Sequence, residues 1–246
     1  MIVIRHTNQT RDVYENIFEG TQIHQMDSFF LWIGSLLHLS EGKILVDIAT
    51  GRGQMVNFAH KLGAVAYGFD FSFTACQIAQ KTSPRMILCA DALNLPFENY
   101  FADFITNLGS LEHFEDMDSA IKETVRILKP DGTACFVVPN TFGLRWNVQY
   151  AWRTGDVDDD GQPLQRYGTR MQWSELFISN GLKISKVLGY EHNQAFPRTR
   201  NDFIEYLKHP KRMISMLMNP YTIPVNAAGQ LVFLCSHQDR NERGLE

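Results

Sequence analysis

Three carboxylates, Asp47, Asp70 and Asp91, each close a short, mostly apolar segment: residues 44–46 before the first, 64–69 before the second and 85–90 before the third. Continuous apolar runs of that length predict parallel strands buried on both faces. Parallel strands share their carboxyl ends, so the three acids would lie along one edge of one sheet, where open α/β sheets bind their ligands. A carboxylate at the tip of the second strand can accept hydrogen bonds from both hydroxyls of a ribose. Asp70 lies about 20 residues beyond a glycine loop, as such sites require. That loop, Ala49-Thr50-Gly51-Arg52-Gly53, lets the backbone turn sharply and a ligand approach without a Cβ in the way. Phe71, beside Asp70, can stack on an adenine ring. The competing role for Asp70 is to N-cap the helix expected over residues 72–81.

His113 is the side chain best suited to move a proton near neutral pH, since an imidazole can take one from a hydroxyl or an ammonium group. Its alternative is to pack above a fourth strand, expected over residues 101–106. Two arrangements that imitate metal sites fail on inspection. Asp156, Asp158, Asp160 and Gly161 resemble the start of a calcium-binding EF-hand loop, but Tyr167 stands where the bidentate glutamate belongs and Pro163 interrupts it. Cys76, Cys89, Cys135 and Cys235 lie singly, without zinc-site or disulfide spacing, and are expected to be small buried core residues. No metal is expected.

Around these residues the elements alternate. Helical spacing runs from residue 8 to 39, with Phe29, Phe30, Trp32, Ile33, Leu36 and Leu37 as an apolar stripe; Tyr14, Phe18, His24 and Met26 could close the top of a pocket. Helices are expected over 54–62, 118–128 and 173–180. A turn at Lys129-Pro130-Asp131-Gly132 leads into a strand over 133–138, and the last two strands span 182–190 and 230–237. Residues 141–170 are too long and too aromatic for a simple connection, with Phe142, Trp146, Tyr150, Trp152 and Tyr167, and are a candidate substrate wall. Residues 191–229 carry Phe203, Met213, Met216, Met218 and a small basic cluster, Lys208, His209, Lys211 and Arg212. They read as a lid, a homodimer contact or an interfacial segment, the last ranked lowest because Pro210 breaks the helix.

The string ILVDIATGRGQ from Ile44 to Gln54 resembles the first motif of class I methyltransferases that use S-adenosylmethionine: a strand, an acidic residue, then Gly-x-Gly-x-Gly. Alanine at 49 replaces the first glycine. CADALNLPF around Asp91 is similar to the family's adenine motif, NLGSLEHF from Asn107 to its post-strand motif, and LKPDG to the turn before its next strand. The resemblance covers residues 44–140 with each motif in order. It implies an α/β fold: a Rossmann-like seven-stranded, mostly parallel sheet with helices on both faces and one antiparallel edge strand. The whole chain, 1–246, would form one methyltransferase domain, with residues 1–40 as an N-terminal helical cover, 41–140 as the cofactor-binding core, and 141–170 and 191–229 as substrate-side lid insertions.

The cofactor implied is S-adenosyl-L-methionine, with S-adenosyl-L-homocysteine as product. By resemblance Asp47, Ala49, Gly51 and Gly53 hold the methionine portion, Asp70 the ribose, and Asp91 and Ala92 the adenine beside an apolar wall of Leu93, Leu95 and Phe97. Asn107 and Leu108 line the methyl-transfer face. If the acceptor is a hydroxyl, His113 is the first base candidate, with His192 and Tyr167 behind it. Relatives that bind metal use Glu-x-x-Glu-His, but Gly109 occupies the first glutamate position here. The acceptor implied is a small organic molecule, methylated on O, N or C. Two other readings stay open. A nicotinamide oxidoreductase would want Gly-x-Gly-x-x-Gly, and Val56 stands at its third glycine. A catalytically silent, cofactor-binding relative is the other.

Composition bounds the rest. With 246 residues, 44% of them hydrophobic, the chain can bury one good core. A formal net charge of -4 provides no basic field for nucleic acid phosphates, so none is expected as partner. The opening MIVIRHTNQTRD lacks the apolar core of a signal peptide and no run approaches a membrane span, so a cytoplasmic protein without a membrane partner is expected.

Overall fold

The computed structural model describes residues 1–7, 10–20, 25–81, 86–191, 197–208 and 223–238. In chain order its first half contains β1 (Ile2–Arg5), α1 (Thr10–Gly20), α2 (Asp27–Leu36), β2 (Ile44–Ile48), α3 (Gln54–Lys61), β3 (Val65–Asp70), α4 (Phe73–Gln80), β4 (Ile87–Cys89) and β5 (Ala102–Leu108). The second half contains α5 (Met117–Ile127), β6 (Leu128–Pro139), α6 (Gln149–Thr154), β7 (Leu164–Tyr167), α7 (Arg170–Ser179), β8 (Leu182–Tyr190), α8 (Arg200–Lys208) and β9 (Gln230–His237).

The apolar runs become the central strands of a seven-stranded sheet in the order β4-β3-β2-β5-β6-β9-β8. Strands β4 to β6 run parallel, and β9 runs antiparallel to both β6 and β8, forming the antiparallel hairpin at that edge. The chain moves outward from β2 to β3 and β4, then returns to the other side of β2 with β5. This reversal opens a crevice over the carboxyl ends of β2 and β5. Register then places Asp47 between Gly68 of β3 and Thr106 of β5.

Neighbouring strand residues point to opposite faces, so the two sides of the sheet need different covers. Val46, Ile105, Phe136 and Phe233 pack on one side with Trp173 and Phe177 of α7. Leu45, Met55, Val56 and Ala66 pack on the other with Phe29, Phe30 and Ile33 of α2. Each fully buried side chain of this kind contributes roughly 1.5–3 kcal/mol. On the first side Phe177 meets Phe136 and Phe233 at ring-centroid distances of 4.6 and 5.0 Å.

Several expectations need correction. The helical stretch over 8–39 is two helices, α1 and α2, while His24 lies outside the described residues. The third strand is shorter, Ile87–Cys89, and Cys89 is exposed at the sheet's edge, so only Cys76, Cys135 and Cys235 are buried. Helix α7 starts at Arg170 because Thr169 and Gln172 form a capping box. The Lys-Pro-Asp-Gly segment is an irregularity inside β6, held by Asp103, which accepts from Lys129, Lys43 and the Ile44 amide.

Residues 141–170 are structured: a π-helical turn (Leu144–Val148), α6, and β7, which pairs antiparallel with β1. That two-stranded sheet was not expected. Within 191–229 the described parts are α8 and a short turn at Val225–Ala227; His192, His209, Lys211, Arg212, Met213, Met216 and Met218 lie outside the described residues. Among the described residues no helix is long and apolar enough to cross a membrane.

Candidate cofactor and acceptor site

The crevice over β2 and β5 holds a cavity of about 390 Å³, inside the range of small-molecule sites. Its floor is the loop after β2. Ala49, Gly51 and Gly53 all adopt left-handed backbone, with φ of 54, 53 and 74°. That conformation is natural for glycine and costs an alanine roughly 1–2 kcal/mol. The exchange of glycine for Ala49 therefore preserves the shape of the loop while straining it. Ala49, Thr50, Gly51 and Arg52 line the cavity, whereas Gly53 does not: a Cβ there would sit 3.0 Å from Ala79 of α4. Gly53 thus serves the α3–α4 packing.

Asp47 is buried beneath this loop. Its Oδ2 accepts from Thr50 Oγ1 and its Oδ1 from Thr106 Oγ1, both at 2.6 Å. Asp70, at the tip of β3, accepts from the Gly51 amide on Oδ2 and the Ser72 amide on Oδ1, both at 2.9 Å. Each Asp70 oxygen retains capacity for a further donor. Helix α4 is capped by Ser72, so Asp70 is not its N-cap. Burial pushes both carboxyls up to about 6, and the charge of Asp70 adds to the shift at Asp47. Two buried acids so close favour a cationic ligand and disfavour an anionic one such as a pyrophosphate. Val56, fully buried where a dinucleotide site needs glycine, points the same way.

The side walls come from both flanks. Ala90, Asp91, Ala92 and Leu93 line one, Asp91 being exposed and accepting from the Leu93 amide at 2.9 Å. Leu95 and Phe97 turn instead into the core. Leu108, Gly109 and Ser110 line the other flank. Asn107 is buried away from the cavity wall, where its Oδ1 accepts from Ser110 Oγ and the Leu111 amide and so shapes the turn.

The roof is aromatic and comes from distant segments. Helix α1 contributes Tyr14 and Phe18, and α2 contributes Phe29 and Phe30. Glu15 fastens α1 down by accepting from the Phe73 and Thr74 amides and Ser72 Oγ at the start of α4. Against some desolvation, those bonds hold the Glu15 carboxyl down at about 2. Tyr14 packs edge-on to Phe71 and donates to Gln162 Oε1 at 2.7 Å. Gln162 belongs to the loop before β7, and it also lines the cavity.

His113 lies on the same wall, buried, in a short helical turn after β5 (Leu111–His113). Its Nδ1 is 2.6 Å from the Leu164 carbonyl oxygen, so Nδ1 carries the proton and Nε2 the lone pair of a neutral ring. Burial lowers its pKa, favouring that neutral form. Beside it Glu112 is buried, pushed up to about 8 by desolvation, with no hydrogen-bond partner for Oε2 among the described residues. Tyr167 is buried in β7, off the cavity wall, and His192 lies outside the described residues.

Sequence reasoning did not single out Thr50, Thr106, Glu15, Gln162 or Gly68. Of these Gly68 left a trace, a glycine inside an apolar strand, which marks a close approach. A Cβ there would meet Val56 at 2.7 Å and Thr50 Oγ1 at 2.8 Å. Among the described residues no group of three or more His, Cys, Asp or Glu side chains could hold a metal ion.

Residues 46–136 match the family model described as a methyltransferase domain. Over 96 residues the chain is 32% identical to demethylmenaquinone methyltransferase of Corynebacterium urealyticum, covering 39% of this chain and 41% of that protein. Over 187 residues it is 23% identical to ubiquinone biosynthesis O-methyltransferase of Bartonella bacilliformis, covering 70% and 74%. Matches to the first relatives span less than half of their length, 43% and 41%. Among solved structures the fold superimposes on the cyclase SpnF with a TM-score of 0.66 at 18% identity, covering 93% of this chain and 96% of that one. The strand order, the glycine loop and the matched segment agree: residues 46–136 form a methyltransferase domain built on a Rossmann-like sheet.

Proposed function

We propose that this protein transfers a methyl group from S-adenosylmethionine to a small, partly apolar organic acceptor. The observation that carries the reading is the pair of buried acids, Asp47 and Asp70, bound to the glycine loop they flank. When bound, the cofactor supplies a methyl group already activated by its sulfonium. The chain's task is then to hold a nucleophile in line with it, and positioning can supply much of the barrier reduction.

In this reading Asp70 takes the ribose hydroxyls, Asp91 and Ala92 the adenine with Phe71 against it, and Asp47, Ala49 and Gly51 the amino acid portion. Arg52, on the cavity wall, offers a cation to the carboxylate. Leu108 faces the transferred methyl group. Phe18, Phe29, Phe30 and Phe114 give the remaining wall its apolar character, which suits a ring-bearing acceptor such as a hydroxylated quinone precursor. The names of the two curated relatives support that choice.

For a hydroxyl acceptor His113 is the base: Leu164 fixes the tautomer, and the lone pair on Nε2 takes the proton. The test is transfer of labelled methyl from the cofactor to a panel of hydroquinones, with His113→Asn alongside. Loss of at least about a hundredfold in kcat, with unchanged S-adenosylhomocysteine affinity, is expected for the variant. Undiminished kcat would remove His113 from the mechanism.

A further inference from the structure

Between Asn140 and Gly155 the chain makes an outward crest that leaves several large apolar side chains exposed. Trp152 is 85% exposed, Phe142 57% and Leu144 49%, and Val148 and Tyr150 are exposed as well. Helix α6 buries none of its residues. The base of the crest is nevertheless firmly held. Asn147 is buried and donates to the Asn140 carbonyl at 3.0 Å, and Gly143 and Trp146 pack against Gly229. The Thr141 amide bonds the Gly168 carbonyl, which brings the start of α7 and its exposed Met171 alongside.

We infer that this crest, Phe142 to Trp152, is a membrane-surface anchor that seats in the interfacial region of zwitterionic phospholipid. Three observations select that occupant. Trp and Tyr with a cation at the edge, here Arg153, are the residue types that partition to the headgroup boundary. The patch of half a dozen side chains is far smaller than the roughly 20–30 residues a side that a stable protein interface uses. Charge excludes an electrostatic mode: Arg153 is followed by Asp156, Asp158, Asp159 and Asp160, so anionic lipid gives no advantage.

The chain that leaves the crest leads on to the cavity. The loop leaving α6 carries Gln162, fixed by Asp160 at 2.8 Å and bonded to Tyr14 over the site. An apolar acceptor dissolved in lipid would meet the protein at the segment that leads to its cavity; this last step rests on the proposed function, whereas the anchor itself does not. The sequence had placed a membrane contact, ranked last, in residues 191–229; the crest lies in the other insertion.

The test is co-sedimentation of the full chain with phosphatidylcholine vesicles at low and high salt, beside a Leu144→Ser, Trp152→Ser double variant. Wild type should bind, with less than about a twofold change across salt, and the variant should bind at least roughly tenfold more weakly while retaining S-adenosylhomocysteine affinity. A variant-free arm guards against misfolding: brominated phosphatidylcholine should quench wild-type tryptophan fluorescence. Absent vesicle binding, binding only to anionic vesicles that salt abolishes, unquenched fluorescence, or a dimer that the double variant dissociates would each overturn the inference. Vesicle binding by a wild type that binds no S-adenosylhomocysteine would keep the anchor and sink the methyltransferase reading.

Discussion

Glu112 is buried, its Oε2 has no hydrogen-bond partner among the described residues, and desolvation pushes it up from 4.5 to about 8. Its replacement by glutamine should therefore change how stability depends on pH. A folded-state pKa above the unfolded one means that the folded chain binds the extra proton, so stability falls as pH rises through the interval between them. From pH 6.5 to 8 the unfolded chain has already lost this proton while the folded chain is only beginning to. Linkage over that interval gives a loss of about 2 kcal/mol in wild type, which Glu112→Gln lacks. His113, whose pKa is lowered by burial, pulls the other way near pH 6.5; its Nε2 lies 3.8 Å from Glu112 Oε1, so the substitution alters its titration too, and the comparison reads the two neighbours together. Urea unfolding at the two pH values measures the effect. The wild-type midpoint should drop by roughly 0.5–1 M more than that of the variant. Equal drops would mean that Glu112 is ionised in the fold at neutral pH, and that the burial argument fails.

Other perturbations test the loop and the roof. Ala49→Gly removes left-handed strain and adds chain entropy to the unfolded state, so stability should rise by up to about 1 kcal/mol, read as a higher Tm. Gly68→Ala forces a Cβ against Val56 and Thr50 and should cost about 1–3 kcal/mol by urea unfolding, disturbing the Asp47–Thr50 bond as well. Glu15→Gln weakens the tie between α1 and α4. S-adenosylhomocysteine affinity should fall several-fold by calorimetry, and an unchanged value would show that the roof does not depend on it.

What could be read in the sequence was local. Leu182–Tyr190 and Gln230–His237 fold as strands over the residues expected, because local apolar patterning, contiguous in 231–235 and interrupted by polar residues in 182–190, carries its own signal. Asp47, Asp70 and Asp91 come to one edge because parallel strands must share an end. What stayed hidden depends on distant partners. Residues 2–5 are a strand only because residues 164–167 pair with them, and Glu15 accepts from the first amide of a helix that begins 58 residues later. Gln162 reaches the cavity through Tyr14, a bond no spacing rule announces. Asn107 and Gly53 were read as contacts because motifs are local in sequence; in three dimensions each supports the residues beside it.

The central claim is that Asp70 and the glycine loop form a site for a cationic nucleoside cofactor. Calorimetric titration of the protein, stripped of carried-over ligand, with S-adenosylmethionine beside NADH tests it most directly. Binding of S-adenosylmethionine alone is predicted, weakened about 10–100-fold in Asp70→Asn because ribose hydroxyls lose an ionised acceptor. Heat from NADH, or S-adenosylmethionine affinity indifferent to Asp70→Asn, would contradict it.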